Sequence, residues 1–408
     1  MPATSTSTAP ATTSSAAGSS TTPPPTSATG GSTSSSTGSS TATGSTTSTT
    51  SSTTTTTSTR STSTTTTSSS SSSGTGQVPG VGNPDGHAAV PADGRAVDTS
   101  QPTRVIGTGT PASCTSAAVI AAVGAGGIVR FDCGPNPVTI TLTATAKVKN
   151  TNPLLVLDGG GKVTLSGGGG HRILYQNACD PAQVWTSTHC DNQETPQLVL
   201  QNLTLADGNS TGETAEGGGG GAVFVRGGQV KVVNSRFIRN RCDSTGPDLG
   251  GAALRVLNQY QNKPVYVVNS TFGGAAGLGG ICSNGGALSS IGVSWVVLNS
   301  VLSHNSAIGS GANPAKAGSP GGGSGGAIYL DGNRFTLTVG GSLIEDNTAN
   351  EGGGAIFFVS NDRTGTASID SSTLRRNPSK GFETQGLPGI FFLGARPPAI
   401  TGGTTLTP

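Results

Sequence analysis

Hydrophobic and polar positions alternate along most of the second half of the chain, in runs too short for helices. Leu198-Val199-Leu200-Gln201-Asn202-Leu203-Thr204-Leu205 is one such run, mixing apolar and polar positions as a half-buried strand should. The alternation is punctuated by a returning phrase, Gly-Gly-Ala followed by aliphatic residues. It occurs at Gly220-Gly221-Ala222-Val223, Gly285-Gly286-Ala287-Leu288, Gly325-Gly326-Ala327-Ile328 and Gly353-Gly354-Ala355-Ile356, with a variant at Gly250-Gly251-Ala252-Ala253-Leu254. A second phrase follows each, a Ser with a large apolar residue at Ser+2 and an Asn at Ser+5. Its copies run from Ser235, Ser300, Ser342 and Ser372 to Asn240, Asn305, Asn347 and Asn377. Phe237, Leu302, Ile344 and Leu374 hold the apolar position, and Phe272 holds it in a fifth copy.

Such a period means one supersecondary unit stacked on itself. The step within the second phrase is constant, whereas the step from its Asn to the next Gly-Gly-Ala is 11, 21 or 7 residues. Only loops leaving a coil can vary in this way without shifting register. The pattern predicts an all-β chain, a right-handed parallel β-helix, with the Asn residues stacked at a corner and satisfying turn backbone groups there.

The solenoid needs a lid at its open end, and the residues before the first coils supply one. Ser113 as cap and the apolar run Thr115 to Val123 predict a short helix ending at Gly124. Upstream, residues 1–76 are almost wholly Ser and Thr with a Pro23-Pro24-Pro25 run, so they are expected to be disordered, either a plain linker or an O-glycosylated stalk. Residues 77–103 read as a Gly/Pro linker and residues 104–408 as the β-helix.

Composition narrows the class. Sixty-five glycines suit many tight turns, 10% charged residues with a net charge of +2 give no footprint for nucleic acid, and no window reaches the roughly 18 apolar residues of a membrane-spanning helix. The first residues show no basic or apolar leader, which is at odds with the exported character of the rest. That character rests on six cysteines. Cys114 and Cys133 flank the first ordered segment, Cys179 and Cys190 close a short loop, and Cys242 and Cys282 follow the second phrase in successive repeats, where stacking brings them together. No C-x-x-C pair occurs and the four histidines are scattered, so neither metal nor cofactor is expected. Of three N-x-Ser/Thr sites, Asn202 and Asn269 fall on the wall, leaving Asn209 as the accessible glycan acceptor.

Gly-Gly-Ala-[Ile/Leu/Val] together with Phe-x-x-Asn resembles the repeat pair of the chlamydial polymorphic outer-membrane proteins, over roughly residues 217–377. Phe237-Ile238-Arg239-Asn240 matches the second motif in full, and the other copies carry an aliphatic residue for Phe. The resemblance implies a β-helix of the pectate-lyase-like kind and a surface adhesin role, although no terminal membrane barrel follows in this sequence.

Candidate chemistry is sparse. Pectate-lyase-like enzymes set carboxylates on adjacent coils. At the fourth residue past each repeat Ala this chain has Arg226, Ile291, Asp331 and Val359, so Asp331 and Arg226 are the only weak catalytic candidates and neither neighbouring repeat offers Asp331 a carboxylate. Binding is the expected mode, with a polysaccharide or host-surface glycan as partner, a monomeric state and an extracellular or cell-surface location. A polysaccharide lyase or glycoside hydrolase is the alternative. Alternation sends Phe224, Ser289, Tyr329 and Phe357 outward, with Arg255 joining that column if Leu254 faces the core. Exposed, Phe224, Arg255, Tyr329 and Phe357 would be a ligand platform. Covered by the loops at Asp207 to Gly219 and Ser306 to Ser324, they would be ordinary core.

Overall fold

The computed structural model describes residues 80–214 and 218–408. The Ser/Thr-rich tract expected to be disordered lies outside the described residues. The body is a parallel β-helix whose walls are three long sheets of ten, nine and eight strands, with a small fourth sheet of three at the corner. Successive coils pair in parallel, for example Leu198–Val230, Phe237–Phe272 and Ile328–Ile356. Sheet I runs from Arg104–Ile106 to Ala399–Thr401, sheet II from Val138–Thr141 to Thr405–Thr407, and sheet III from Ala146–Lys147 to Ile390–Leu393.

Each sheet turns one apolar column into the core. In sheet I it is Leu157, Leu200, Val232, Val267, Val297, Val339 and Ile369, and in sheet II Leu205, Phe237, Phe272, Leu302, Ile344 and Leu374. The Val223, Leu254, Leu288, Ile328 and Ile356 positions after each repeat Ala make the column of sheet III. All are buried, and burying each such side chain is worth about 1.5–3 kcal/mol. Phe237 and Phe272 stack with ring centroids 4.7 Å apart.

Two polar ladders run beside these columns. Asn305 Nδ2 donates to Asn347 Oδ1 and Asn347 Nδ2 to Asn377 Oδ1, both at 2.9 Å, while the Asn240 and Asn305 oxygens accept from Gly208 N and Gly280 N. The repeat asparagines therefore do stack and fill the corner's hydrogen bonds. The Ser ladder is a feature the repeat alone did not reveal. The amides of Ser235, Ser270, Ser300 and Ser342 donate to the hydroxyls of Ser270, Ser300, Ser342 and Ser372 at 3.0–3.1 Å. Between sheets I and II, Asn202, Asn234, Asn269 and Asn299 hold a left-handed corner, with φ between 46° and 54°, which a short amide side chain tolerates.

The lid is helix α1, Ser116–Ala125. Its cap is Thr115, whose hydroxyl accepts from Ala118 N at 3.2 Å, rather than Ser113. Ser113 sits one turn earlier in a 3₁₀ element, where its hydroxyl accepts from Thr108 N and donates to Thr110 O. Val119 and Val123 face the first coils, and the Cys114–Cys133 disulfide ties the lid to the strand end beside it.

The segment read as a linker is part of the body. Residues 80–103 run along the outside of sheet I as a strap, antiparallel to the solenoid's own progress. Asn83 Nδ2 donates to Gly341 O, Ala88 N to Asn299 Oδ1, Val97 N to Gln201 Oε1 and Thr99 Oγ1 to Asp158 Oδ2. Ala88, Val90 and Ala96 pack on Val233, Val268 and Leu298, outward residues of three adjacent strands. Those three stand next to inward residues in Val232-Val233, Val267-Val268 and Val297-Leu298. Such doublets break the alternation and are the signal that something covers this face.

Candidate functional site

The outward column of sheet III has the register its repeats imply: Tyr175, Phe224, Arg255, Ser289, Tyr329, Phe357 and Phe391 occupy successive rungs. It is not a platform. Phe224 and Tyr329 are 0% exposed and Phe357 and Arg255 2% exposed, so the expected ligand-binding role of these four is corrected to packing beneath loops. Arg172 lays its guanidinium 5.3 Å from the Phe224 ring centre and donates to Gly219 O and Gly220 O. Phe382 meets Phe357 edge-on from the segment beyond the last Asn. The 246–250 and 309–324 loops close over Arg255 and Tyr329, because the varying corner faces this sheet.

Under those loops lies a knot of polar groups. Asn313 Nδ2 lies 2.6, 2.8 and 2.8 Å from Asp248 Oδ1, Tyr329 Oη and Asp331 Oδ2, three acceptors sharing its two hydrogens. Asp331 Oδ1 accepts from Gly332 N and Asn361 Nδ2. Arg255 Nη1 donates to the Asp248 carbonyl at 2.5 Å, and its Nε has no partner. Burial pushes the Asp331 carboxyl above its ordinary value, with the charge on Asp248 acting the same way against the hydrogen bonds it receives. Burial likewise raises the Tyr329 hydroxyl and lowers the Arg255 guanidinium to about 10. Asp331 thus gains the carboxylate neighbour that the repeats do not provide, from a loop rather than a coil. Arg226 stands apart. It shares the Asp331 column three rungs away and pairs with Asp191, Nε to Oδ1, at 2.9 Å.

A cleft of about 330 Å³ opens on the other wall, between the strap and sheet I. Its floor is the outward face of three adjacent strands, Gln197–Gln201, Gln229–Val233 and Val265–Val268, where Val199, Lys231 and Tyr266 form one row. Gln197 and Gln229 form the next row, and Lys263 with Pro264 closes one side. The strap's Ala92 and Asp93 make the opposite wall. Lys231 Nζ donates to Asp93 O at 3.0 Å and Arg95 O at 2.7 Å, and half-burial lowers its pKa against the opposing pull of Asp93.

No family model, curated protein or solved structure matches this chain. The site is therefore read from its own residues. The three cysteine pairs are formed as the spacing suggested, Cys114–Cys133, Cys179–Cys190 and Cys242–Cys282, and such bonds belong to an oxidising compartment. Cys179, Cys190 and Asp191 are the one metal-ligating trio among the described residues, but both sulfurs are spent in a disulfide. No helix among the described residues is long and apolar enough to cross a membrane. Asn209, the expected glycan acceptor, is only partly exposed, and its amide donates to Gly169 O while its oxygen accepts from Thr211 N. The cleft was missed in the sequence because one wall is the strap, more than a hundred residues away from the strands it faces.

Proposed function

We propose that the chain is an exported β-helix protein that acts by binding a polysaccharide or surface glycan in the cleft beneath its strap. The observation that carries this reading is the lining. An aromatic side chain, Tyr266, stands beside the amides of Gln197 and Gln229 and the Lys231 ammonium on a rigid sheet, which is the mixture a pyranose ring with its apolar face and hydroxyl rim requires. Sheet rungs about 4.8 Å apart hold these groups with little freedom to lose on binding. Calorimetry of the whole protein against a panel of polysaccharides tests it. Tyr266→Ala should weaken binding about tenfold, read well below the variant's own melting temperature because Tyr266 also packs on the apolar cluster under the strap. A panel without a binder, or a ligand indifferent to Tyr266→Ala, sinks the reading.

The Asp248–Asp331 pair favours a second reading, glycoside hydrolysis. One nitrogen touches both carboxylates, so their nearest oxygens lie closer than the sum of those two hydrogen bonds, too close for the roughly 6.5–9.5 Å of inverting glycosidases and on the side of the retaining arrangement. The Asn313 amide fills the space a glycosidic oxygen would need, and for that reason binding is preferred. Release of reducing ends from any panel polysaccharide, abolished by Asp331→Asn, would establish the hydrolase instead.

A further inference from the structure

The excursion 178–196 leaves the corner between sheets III and I and is braced from several sides. The Cys179–Cys190 disulfide closes it, and the Arg226–Asp191 ion pair at 2.9 Å ties it to the next coil. Asn150 N donates to Gln183 O. Asn150 Nδ2 lies 2.7 Å from Trp185 O and 3.2 Å from Ala178 O and Asp180 O, three acceptors sharing its two hydrogens. Inside this frame Val184 takes φ 86° and ψ −53°, a γ-turn conformation that strains a β-branched residue. The bend holds out an apolar pair. Val184 is 61% and Trp185 42% exposed, the only two large hydrophobics adjoining in sequence that stay in solvent among the described residues. Strain of this kind persists only where the surroundings impose it, and what it presents here is an indole in water.

The end of the solenoid that bears this tip is basic. Residues 104–153, the lid and first coil, carry Arg104, Arg130, Lys147 and Lys149 against one acid, Asp132, and none of the four cations is in an ion pair among the described residues. Lys149 Nζ is 3.5 Å from Gln183 Oε1, at the tip itself. Asp180 begins the tip, and its oxygens accept from Ala182 N and Gln183 Nε2. The turn 149–152 joins the tip to the lid, since Asn152 Nδ2 donates to Gly124 O in α1, a helix without a charged residue. We infer that this end docks reversibly on an anionic lipid surface, independently of the cleft. Trp185 and Val184 enter the headgroup region, and Lys147 and Lys149 face its phosphates. An indole suits that boundary because its ring is apolar and its N–H polar. A stable protein interface buries about 800 Å² on each partner, far more than two side chains expose, whereas a fluid surface needs no matching pocket.

Trp185 and Trp295 are the two tryptophans, and Trp295 is fully buried, so a change of tryptophan emission on adding lipid reports Trp185. The test titrates the full chain with vesicles of equal parts phosphatidylglycerol and phosphatidylcholine, and with phosphatidylcholine alone. A blue shift and co-sedimentation with the anionic vesicles are expected, both weaker with the neutral ones. Trp185→Ser should weaken binding about tenfold. Lys147→Gln and Lys149→Gln should each weaken it about fivefold, while Lys380→Gln, in the last coils, should not. Val184→Gly removes the strain, so it should melt no lower than wild type and yet bind about threefold more weakly, a combination that a structural role alone does not give. No shift and no sedimentation would overturn the inference. So would sedimentation with unchanged emission, or equal losses in all three lysine variants, which would mean diffuse attraction. A mass that doubles with concentration in wild type but not in Trp185→Ser would give the tip to a second copy and overturn it too. Each of these results leaves the cleft reading standing.

Discussion

Asn347 shows how much a single residue carries in this architecture. Its Nδ2 has Leu302 O, Glu345 O and Asn377 Oδ1 within hydrogen-bond distance to share its two hydrogens, and its oxygen accepts from both the amide and the side chain of Asn305. Removing it leaves several buried groups unpaired on two coils at once, so Asn347→Ala should cost about 3 kcal/mol in denaturant unfolding. Phe357, stacked between Tyr329 and Phe391 with centroids 5.0 and 5.3 Å away, should behave as core: Phe357→Ala should cost about 3–5 kcal/mol and change no ligand affinity directly. Asp331 gives a pH signature. Its folded carboxyl is raised by burial, so the fold prefers the protonated form. The stability this adds is present in full below the ordinary carboxylate value and is lost as pH rises through the raised one. Asp331→Asn should therefore flatten the dependence of melting temperature on pH in the window just above 3.8, and a wild-type profile already flat there would contradict the assignment.

At the scale of elements, the strap is the part whose composition misleads. Gly, Pro and small residues give it no periodicity of its own, and its shape comes from the sheet it lies on. A variant beginning at residue 80 should melt as the full chain does. One beginning at residue 104 exposes Val233, Val268 and Leu298 together and should bind a hydrophobic dye and melt lower. It should also lose the cleft, since Asp93 and Ala92 leave with the strap. Equal melting of the two variants would show that the strap only rests on the sheet.

For the whole molecule, stability is mainly a sum over neighbouring coils, because the strands of each coil pair only with those of the next. The strap and the 309–324 loop add the longer ties. Damage should therefore stay local. Replacing Cys114 and Cys133 by Ser frees the lid at the first coil and should cost about 3 kcal/mol in the loop-closure account. Hydrogen exchange should quicken in Gly127–Phe131 and Val138–Thr141 and remain slow in Ile328–Gly332. Uniform quickening along the chain would mean that the solenoid unfolds as a single unit.

The local period settled what the coils are. Ser+2 apolar residues, the stacked asparagines and the Gly-Gly-Ala strands all have the register that their spacing implies, because a solenoid's long-range pairing repeats its short-range pattern. The Cys242–Cys282 pair followed for the same reason, the other two pairs from closing short segments. Arg255, placed in its column from the variant repeat, is on that rung. What lies over the outer faces followed no period. The column Phe224–Tyr329–Phe357 is buried because loops of unequal length fold back over it, and alternation reports only that a side chain leaves the core, never what it then meets. Asp248 reaches Asp331, and the strap reaches Lys231 and Tyr266, across sequence distances that no repeat relates. Those contacts are made by irregular segments, whose conformation is set by the surface they pack on, and so the candidate site became visible only in the tertiary structure.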